Sequence, residues 1–431
     1  MSSRIKKLAL GLTVLVLVLG VAGALRSVLH DGGQSAYATA QSEQAGELAP
    51  PVEAAELDAL VAGNTQFALD LYHALTCQPG NLFFSPYSIS TALAMAYAGA
   101  RGETERQMAE ALRFALSQDD LHPAFDALRL DLTSAVQSVE GLELAIANAL
   151  WGQTGHPFLT EFLDLLETFY NAPLRSADFA GAPEKARTDI NAWVDEMTAG
   201  RIAELMGPGS IMPDTRLILA NAIYFLGTWK SQFNEEMTWE RTFHLLDGSE
   251  ISVPTMYAED TFDYAERSGY QVAELHYTGD EISMVILLPS PGTFEAFEAD
   301  LEAAELSRIL DQIGRWKVHL SMPRFELNSE FSLVSVLTAL GMPDAFSVDA
   351  DFSGMDGGRD LFIDDVIHQA FVSVSEEGTE AAAATAVMMR SAVRRFPYYT
   401  MRIDRPFIFL IRNRETGTIL FMGRVLDPRA G

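Results

Sequence analysis

The sequence is poor in cysteine and in positive charge. Its 431 residues include one cysteine, Cys77, so no disulfide can form within the chain. Because Cys77 lies on an apolar helical face, we predict that it packs in the core rather than acting as a nucleophile. The chain has 30 Lys and Arg against 59 Asp and Glu, a formal charge of −29. This charge argues against nucleic acid or an anionic lipid surface as a partner, because both require clustered positive charge.

Common catalytic and metal-binding signatures are also missing. The sequence contains no G-x-S-x-G nucleophile motif, no H-E-x-x-H metal motif and no G-x-x-x-x-G-K-[ST] phosphate loop. Its eight histidines are scattered without the spacing of metal ligands. We therefore predict a protein that is not an enzyme and that uses neither a cofactor nor a metal.

The N-terminus has the pattern of a targeting segment. Three basic residues precede an apolar run of 18 residues at 8–25, which is long for a signal peptide and close to the minimum for a membrane span. Cleavage at an Ala-x-Ala site ending at Ala40 and an uncleaved membrane anchor are both open. Both alternatives predict a secreted or otherwise extracytoplasmic protein, with a membrane contact only through this segment.

The rest of the chain has no internal repeat and no long linker. We therefore expect one large domain rather than the two or three that the length alone suggests. The predicted organisation is a signal peptide or anchor at 1–40, a flexible tether at 41–54 and the domain at 55–431.

Hydrophobic spacing changes along this domain. Apolar residues recur at helical intervals in its first half, and a further amphipathic helix is predicted at 184–206. The second half contains compact or alternating apolar runs that predict strands at 283–289, 318–325 and 366–374. Helices followed by long strands indicate an α+β fold.

One segment does not suit a static fold. Residues 376–390 read EEGTEAAAATAVMMR and directly follow a predicted strand. Their alanine content favours a surface helix. As a strand, however, the face from Thr379 to Met389 carries no charge and could enter a sheet. Composition alone leaves both interpretations open.

Several motifs in order along the chain resemble the serpin family, over about residues 55–428. They are NLFFSPYSI at 81–89, LANAIYFLGTW at 219–229, MPRF at 322–325, ADFSG at 350–354, HQA with EEGTEAAAA at 368–384, RPF at 405–407 and FMGRV at 421–425. The resemblance, to inhibitory and prokaryotic-like members, implies the serpin fold, in which helices pack around three β-sheets and a reactive centre loop is exposed.

The resemblance also implies a mechanism and assigns residues to it. A protease cleaves the loop and forms an acyl-enzyme, and the freed loop then inserts into the main sheet and traps the protease. The hinge of the loop would be Gly378, Thr379, Glu380, Ala381, Ala382, Ala383 and Ala384. The shutter, a polar cluster beneath the sheet, would be Ser85, Ser88, Asn221 and His368. The breach, where the loop enters, would include Trp229, Arg324 and Glu376.

The scissile bond is expected fourteen residues beyond the hinge glycine, at Ala392–Val393, by the spacing usual in the family. A small residue before this bond favours elastase-like or subtilisin-like serine proteases. The bond Arg390–Ser391, or bonds after Arg394 or Arg395, would instead suit a trypsin-like protease. These alternatives stay open on the sequence.

The function that follows is that of a monomeric suicide-substrate inhibitor of serine proteases, with cysteine proteases as a further class of target. The alternative is a non-inhibitory serpin that binds a ligand or another protein. The gel pattern after mixing with a protease distinguishes the two, because only an inhibitor forms a stable adduct.

Overall fold

The structure is a computed structural model that describes residues 52–137, 139–379 and 398–430. The predicted targeting segment, and the predicted tether up to residue 51, lie outside the described residues.

Six of the ten α-helices in the described part of the chain lie before residue 200. The first, α1, begins with a capping box between Glu53 and Glu56, and Pro86 occupies the first turn of α2. The helices are α1 (Ala54–Leu75), α2 (Pro86–Tyr97), α3 (Gly102–Ala111), α4 (Gln118–Gln137), α5 (Thr160–Tyr170), α6 (Pro183–Met197), α7 (Phe294–Ala299), α8 (Ala303–Leu310), α9 (Val334–Ala339) and α10 (Ser353–Asp356).

By hydrogen bonding, the described strands form two sheets. The larger has nine strands in the order β1-β15-β14-β8-β7-β6-β9-β13, with β5 paired to β6. These strands are β1 (Leu82–Phe84), β5 (Trp239–His244), β6 (Glu250–Arg267), β7 (Tyr270–His276), β8 (Ile282–Pro289), β9 (Gly314–Pro323), β13 (Tyr399–Arg402), β14 (Phe407–Asn413) and β15 (Ile419–Val425). The 18-residue β6 pairs with β5 over residues 250–255, with β9 over 255–264 and with β7 over 263–267. Two of the three expected sheets are thus joined through this strand.

The smaller sheet has the order β10-β11-β12-β4-β2-β3, with a direct pairing between β11 and β4. Its strands are β2 (Leu142–Gln153), β3 (Arg175–Ala177), β4 (Leu217–Thr228), β10 (Phe325–Ser332), β11 (Asp365–Val374) and β12 (Gly378–Thr379). Strands β4 and β11 are parallel and pair over residues 218–224 and 365–371. At one end of this pair, the two-residue β12 lies between them and is antiparallel to both.

Helix α2 connects the two sheets. It packs against β2 and β4 of the smaller sheet and against β15 of the larger one, and nearly all of its side chains are buried. Burial on all faces explains why this helix is rich in alanine and serine and carries no charge. The α+β class is therefore confirmed. Among the described residues, none of the helices combines the length and the apolarity needed to cross a bilayer.

Three local predictions were wrong. The helix predicted at 184–206 ends at Met197, because Ala199 and Gly200 take positive φ angles of 51° and 79°. The single strand predicted at 318–325 is two strands that meet at Arg324. Cys77 is exposed rather than buried, because α1 ends at Leu75 and the chain turns before the cysteine.

Candidate functional site

The first two residues of the predicted hinge lie inside the smaller sheet. Gly378 pairs with Thr228 of β4, and Thr379 pairs with Gly227 of β4 on one side and Val374 of β11 on the other. The Thr379 side chain is fully buried, and its hydroxyl lies 2.7 Å from the Tyr277 hydroxyl. The uncleaved chain therefore already begins a strand between β4 and β11.

A glycine is required at position 378 because there is no room for a Cβ atom. Its backbone is extended, with φ of 159°, so the conformational freedom of glycine is not what the position uses. A Cβ atom at this residue would lie 2.0 Å from the carbonyl oxygen of Gly227 and 2.8 Å from Cα of Thr228. Any larger residue would force the hinge away from β4.

An aromatic pair supports the point where the hinge enters the sheet. The Trp229 ring stacks on Tyr277 with centroids 4.5 Å apart. The indole N–H of Trp229 donates to the Ser375 carbonyl at 2.9 Å, and its backbone N–H donates to the Glu377 carbonyl at 2.8 Å. Burial raises the pKa of Tyr277, so its hydroxyl keeps its proton and can bond Thr379. The pair thus holds the chain on both sides of Glu376.

Glu376 and Arg324 form an ion pair beside this aromatic pair. Arg324 Nη2 lies 2.7 Å from Glu376 Oε1, and Arg324 Nε donates to the same oxygen at 2.8 Å. The carboxylate is 3% exposed, whereas the guanidinium is 46% exposed. Burial alone would raise the pKa of Glu376, but hydrogen bonds from Arg324 and Thr238 outweigh burial and lower it. Glu376 is therefore ionised at neutral pH and anchors the last turn before the hinge.

The four predicted shutter residues are also brought together. His368 of β11 lies beside Asn221 of β4 in register, and the Ser85 backbone N–H donates to His368 Nε2 at 3.1 Å. Since Nε2 accepts, the ring proton lies on Nδ1 and faces the Asn221 carbonyl oxygen. Ser85 also caps α2 by accepting from the Ser88 N–H at 3.1 Å.

Burial lowers the pKa of His368 to about 3, so the imidazole is neutral over the physiological range. A neutral ring with one donor and one acceptor matches the two partners that it has here. The cluster therefore joins β4 to β11 without a buried charge.

Two residues of the site were missed by the sequence analysis. Asn148 of β2 lies opposite Asn221, and its side-chain oxygen accepts from the Ser88 hydroxyl at 3.0 Å. The sequence could have indicated Asn148, because it places a side-chain amide within the otherwise apolar segment LAIANAL. Tyr277 follows β7 in an ordinary aromatic-containing segment, and nothing in its sequence context marks it.

The remaining hinge residues, Glu380 and the run of alanines at 381–384, lie outside the described residues. So do both residues of the expected scissile bond, Ala392 and Val393, and the four rivals Arg390, Ser391, Arg394 and Arg395.

One cluster among the described residues has side chains close enough to hold a metal ion. The ligand atoms of Asp263, Glu274 and His276 all lie within 4.8 Å of one another. However, Glu274 accepts from Arg412 at 2.9 Å, and the His276 ring nitrogens each contact a carboxylate at 2.7 Å. The guanidinium and imidazole groups already occupy the positions next to the carboxylates, so the cluster is an ion-pair network.

The family model for serpins, described as serine protease inhibitors, matches residues 62–428. The chain belongs to the serpin family. The family is described by protease inhibition and not by catalysis, so this chain is not an enzyme.

Relatives of this serpin come from distant organisms. It is 42% identical to an uncharacterised serpin-like protein of Thermococcus kodakarensis, with 85% of each chain covered. It is 41% identical to leukocyte elastase inhibitor of Bos taurus, covering 86% of this chain and all of the relative.

Solved structures give the same fold. Human thyroxine-binding globulin in complex with its ligand matches with a TM-score of 0.79 at 30% identity, covering 87% of this chain and all of that one. Uncleaved ovalbumin matches with a TM-score of 0.77 at 27% identity, covering 86% of this chain and all of that one. The serpin fold predicted from the motifs is therefore confirmed.

Proposed function

We propose that this serpin inhibits serine proteases as a suicide substrate, by insertion of its cleaved loop between β4 and β11. The observation that carries the proposal is the position of β12. Thr379 already pairs with both neighbouring strands, so the residues after it can extend an existing strand. A loop that stayed outside the sheet would not need a glycine packed against the Gly227 carbonyl oxygen.

The composition of the loop supports the same proposal. After Thr379, the positions that would face the core in an extended strand are small or apolar and carry no charge. Such side chains can enter a closely packed sheet without leaving a buried charge unpaired. The mammalian relative named above is called an elastase inhibitor, which agrees with a small residue before the scissile bond.

The expected target is an elastase-like or subtilisin-like protease that cleaves Ala392–Val393. Cleavage after Arg390, Arg394 or Arg395 by a trypsin-like protease is the alternative, and a cysteine protease is a further class to test. The deciding experiment mixes the full chain with elastase, subtilisin, trypsin and papain in turn, followed by a denaturing gel and mass spectrometry of the released peptide. An adduct stable to detergent, with release of the peptide that begins at Val393, supports the proposal.

Clean cleavage without an adduct for all four proteases would contradict inhibition and support the non-inhibitory, binding function. Cleavage and adduct formation at an arginine would retain inhibition but change the assigned bond.

We also propose that the protein acts outside the cytoplasm and as a monomer. The location depends on the basic and apolar N-terminal pattern, and the high negative charge favours a chain that repels its own copies. N-terminal sequencing of protein recovered from the medium and from membranes tests the location. Light scattering during size-exclusion chromatography tests the monomer.

A further inference from the structure

One face of the larger sheet carries exposed aromatic side chains near the reactive loop. Trp239 of β5 pairs with Thr255 of β6, and Tyr257 lies two residues further along β6 on the same face. On β9, the His319 ring stacks on Tyr257 with centroids 6.1 Å apart, and the Tyr398 ring contacts His319 with centroids 4.7 Å apart. We call Trp239, Tyr257, His319 and Tyr398 the aromatic platform.

The side chains of the aromatic platform are exposed but held in place. Trp239 is 46% exposed and Tyr398 is 40% exposed. The Tyr257 hydroxyl lies 2.6 Å from His319 Nδ1. A hydrogen bond to the Glu259 carboxylate raises the pKa of Tyr398, so its hydroxyl keeps the proton that it donates. Ordered tyrosine and tryptophan side chains lose little conformational entropy on binding and are enriched at protein interfaces, so the platform has the composition of a contact surface.

The aromatic platform adjoins both points at which the loop joins the described chain. The Thr238 hydroxyl, next to Trp239, donates to Glu376 shortly before the hinge. At the other end, Tyr398 is the first described residue after the loop and lies six residues after Ala392. Six residues span at most about 20 Å. Each partner in a stable complex contributes about 800 Å², a patch about 30 Å across, so a protease held at Ala392–Val393 can contact the platform within the same interface.

The charged groups on this face are mostly basic, against the balance of the whole chain. The chain has a formal charge of −29. Where β5, β6, β9 and β13 pair, however, the register places four bases and two acids on the face of the aromatic platform. They are Arg241, Arg315, Lys317 and Arg402, and Glu259 and Asp263. Such a face suits a partner that presents carboxylates around an apolar contact.

We propose that the aromatic platform is a second contact surface for the target protease, which it meets through its aromatic side chains and through acidic residues beside the protease cleft. The proposal rests on the function proposed above and adds to it a surface that selects among proteases able to cleave the same bond. These contacts form before cleavage and prolong the first complex, because affinity differences between related complexes lie mostly in the dissociation rate.

Binding of the full chain to proteases whose catalytic serine is replaced by alanine tests the proposal, because no acyl-enzyme forms and no insertion follows. Elastase, subtilisin and trypsin are immobilised in turn, and dissociation is followed by surface plasmon resonance. Trp239→Ala should bind about tenfold more weakly than wild type to the protease that wild type binds most tightly, mainly through faster dissociation, as for loss of one aromatic anchor. Tyr398→Ala should weaken binding in the same direction.

Trp316→Ala is the matched control. Trp316 is 44% exposed in the same sheet, but it pairs with Phe262 and lies on the opposite face, against Tyr399. This variant should bind within about twofold of wild type, as for a surface substitution outside an interface. The double substitution of Lys317→Gln and Arg402→Gln should weaken binding at low salt but not at high salt, because salt screens pairs of exposed charges.

Unchanged affinity in both aromatic variants, or an equal loss in Trp316→Ala, would overturn the proposal, as would no measurable binding of wild type to any of the three proteases. If Trp239→Ala changed the mass of the free serpin in light scattering but not its protease binding, the platform would belong to a contact between two copies and the proposal would be wrong. Absence of an adduct with the active proteases would refute the proposed function, while the binding data would still decide the role of the platform.

Discussion

Replacing Thr379 by arginine is the most direct test of loop insertion. Thr379 is fully buried, its backbone pairs with strands on both sides and its hydroxyl contacts Tyr277. An arginine in this position would place a guanidinium among apolar groups without a carboxylate partner. Leaving one buried charge unpaired costs about 3–5 kcal/mol.

Since residue 379 is buried before cleavage, this cost should first expel the hinge from the sheet of the intact protein, and insertion of the cleaved loop must then bury the charge. Each 1.4 kcal/mol changes a rate by about tenfold, so insertion should slow by about two to three and a half orders of magnitude. Insertion competes with hydrolysis of the acyl-enzyme, and a slower loop lets the protease complete its turnover. Thr379→Arg should therefore be cleaved as a substrate and yield little adduct.

The assay is a denaturing gel over a range of inhibitor-to-protease ratios, with cleaved serpin and adduct quantified separately. Thr379→Ser is the matched control, because it keeps the hydroxyl and should trap as wild type does. Thr379→Val leaves the buried Tyr277 hydroxyl without its partner, at a cost of about 1–3 kcal/mol, and should be intermediate. An equal yield of adduct from Thr379→Arg and wild type would refute the hinge assignment.

Four further predictions concern specificity, stability and pH. Ala392→Arg should move inhibition from elastase-like toward trypsin-like proteases, measured as association rates with each. Wild type cleaved in its loop should unfold at a clearly higher temperature in calorimetry, and an unchanged midpoint would mean that the loop does not insert. Arg324→Met leaves the Thr238 hydroxyl as a remaining partner of the buried Glu376 carboxylate and should lower the free energy of unfolding by about 1–3 kcal/mol at neutral pH. This loss should vanish as Glu376 becomes protonated in acid. Lys185→Met, which removes an exposed pair with Asp189, should cost less than about 0.5 kcal/mol. The pKa of about 3 for His368 lies below its ordinary value near 6.5, so its contribution is complete above pH 6.5 and declines as pH falls toward 3. Between about pH 6.5 and about pH 4.5 the wild type should lose on the order of 2–3 kcal/mol more than His368→Gln in urea unfolding.

The sequence motifs predicted the fold class and most of the residues that meet at the site. Hydrophobic periodicity alone would not have brought His368 and Asn221 together, because β4 and β11 are far apart in sequence and pair in parallel. The resemblance to serpins supplied that long-range information. It also supplied Arg324 and Glu376, which the structure places in contact.

What the sequence did not reveal depends on tertiary contacts. Tyr277 matters because it lies beneath Thr379, a relation between residues 102 positions apart. The burial of Thr379 was not predicted either, since a hinge of small residues fits an exposed loop and an inserted strand equally well. The prediction that Cys77 is buried was wrong because α1 ends two residues before it. Leu75, the last residue of α1, is buried, whereas Cys77 is exposed.

The parallel pairing of β4 with β11 makes insertion a stepwise exchange of hydrogen bonds. Seven residue pairs join the two strands, from Asp365 with Ile218 to Phe371 with Tyr224. An antiparallel strand that advances between them replaces one ladder of hydrogen bonds by two. Each residue that inserts thus forms hydrogen bonds to β4 and β11 before the next β4–β11 pair has to open. The two strands therefore never have to separate along their whole length at once.

The register of β12 also determines what the advancing strand meets. Thr379 lies opposite Gly227 and Val374, so the residue six positions further on would lie opposite the residues six positions back in both strands. That residue is Thr385, and its neighbours would be Asn221 and His368. The loop would thus place the Thr385 hydroxyl, which can donate and accept, between Asn221 and His368. Within the described residues, Asn221 and His368 are the only polar pair between β4 and β11.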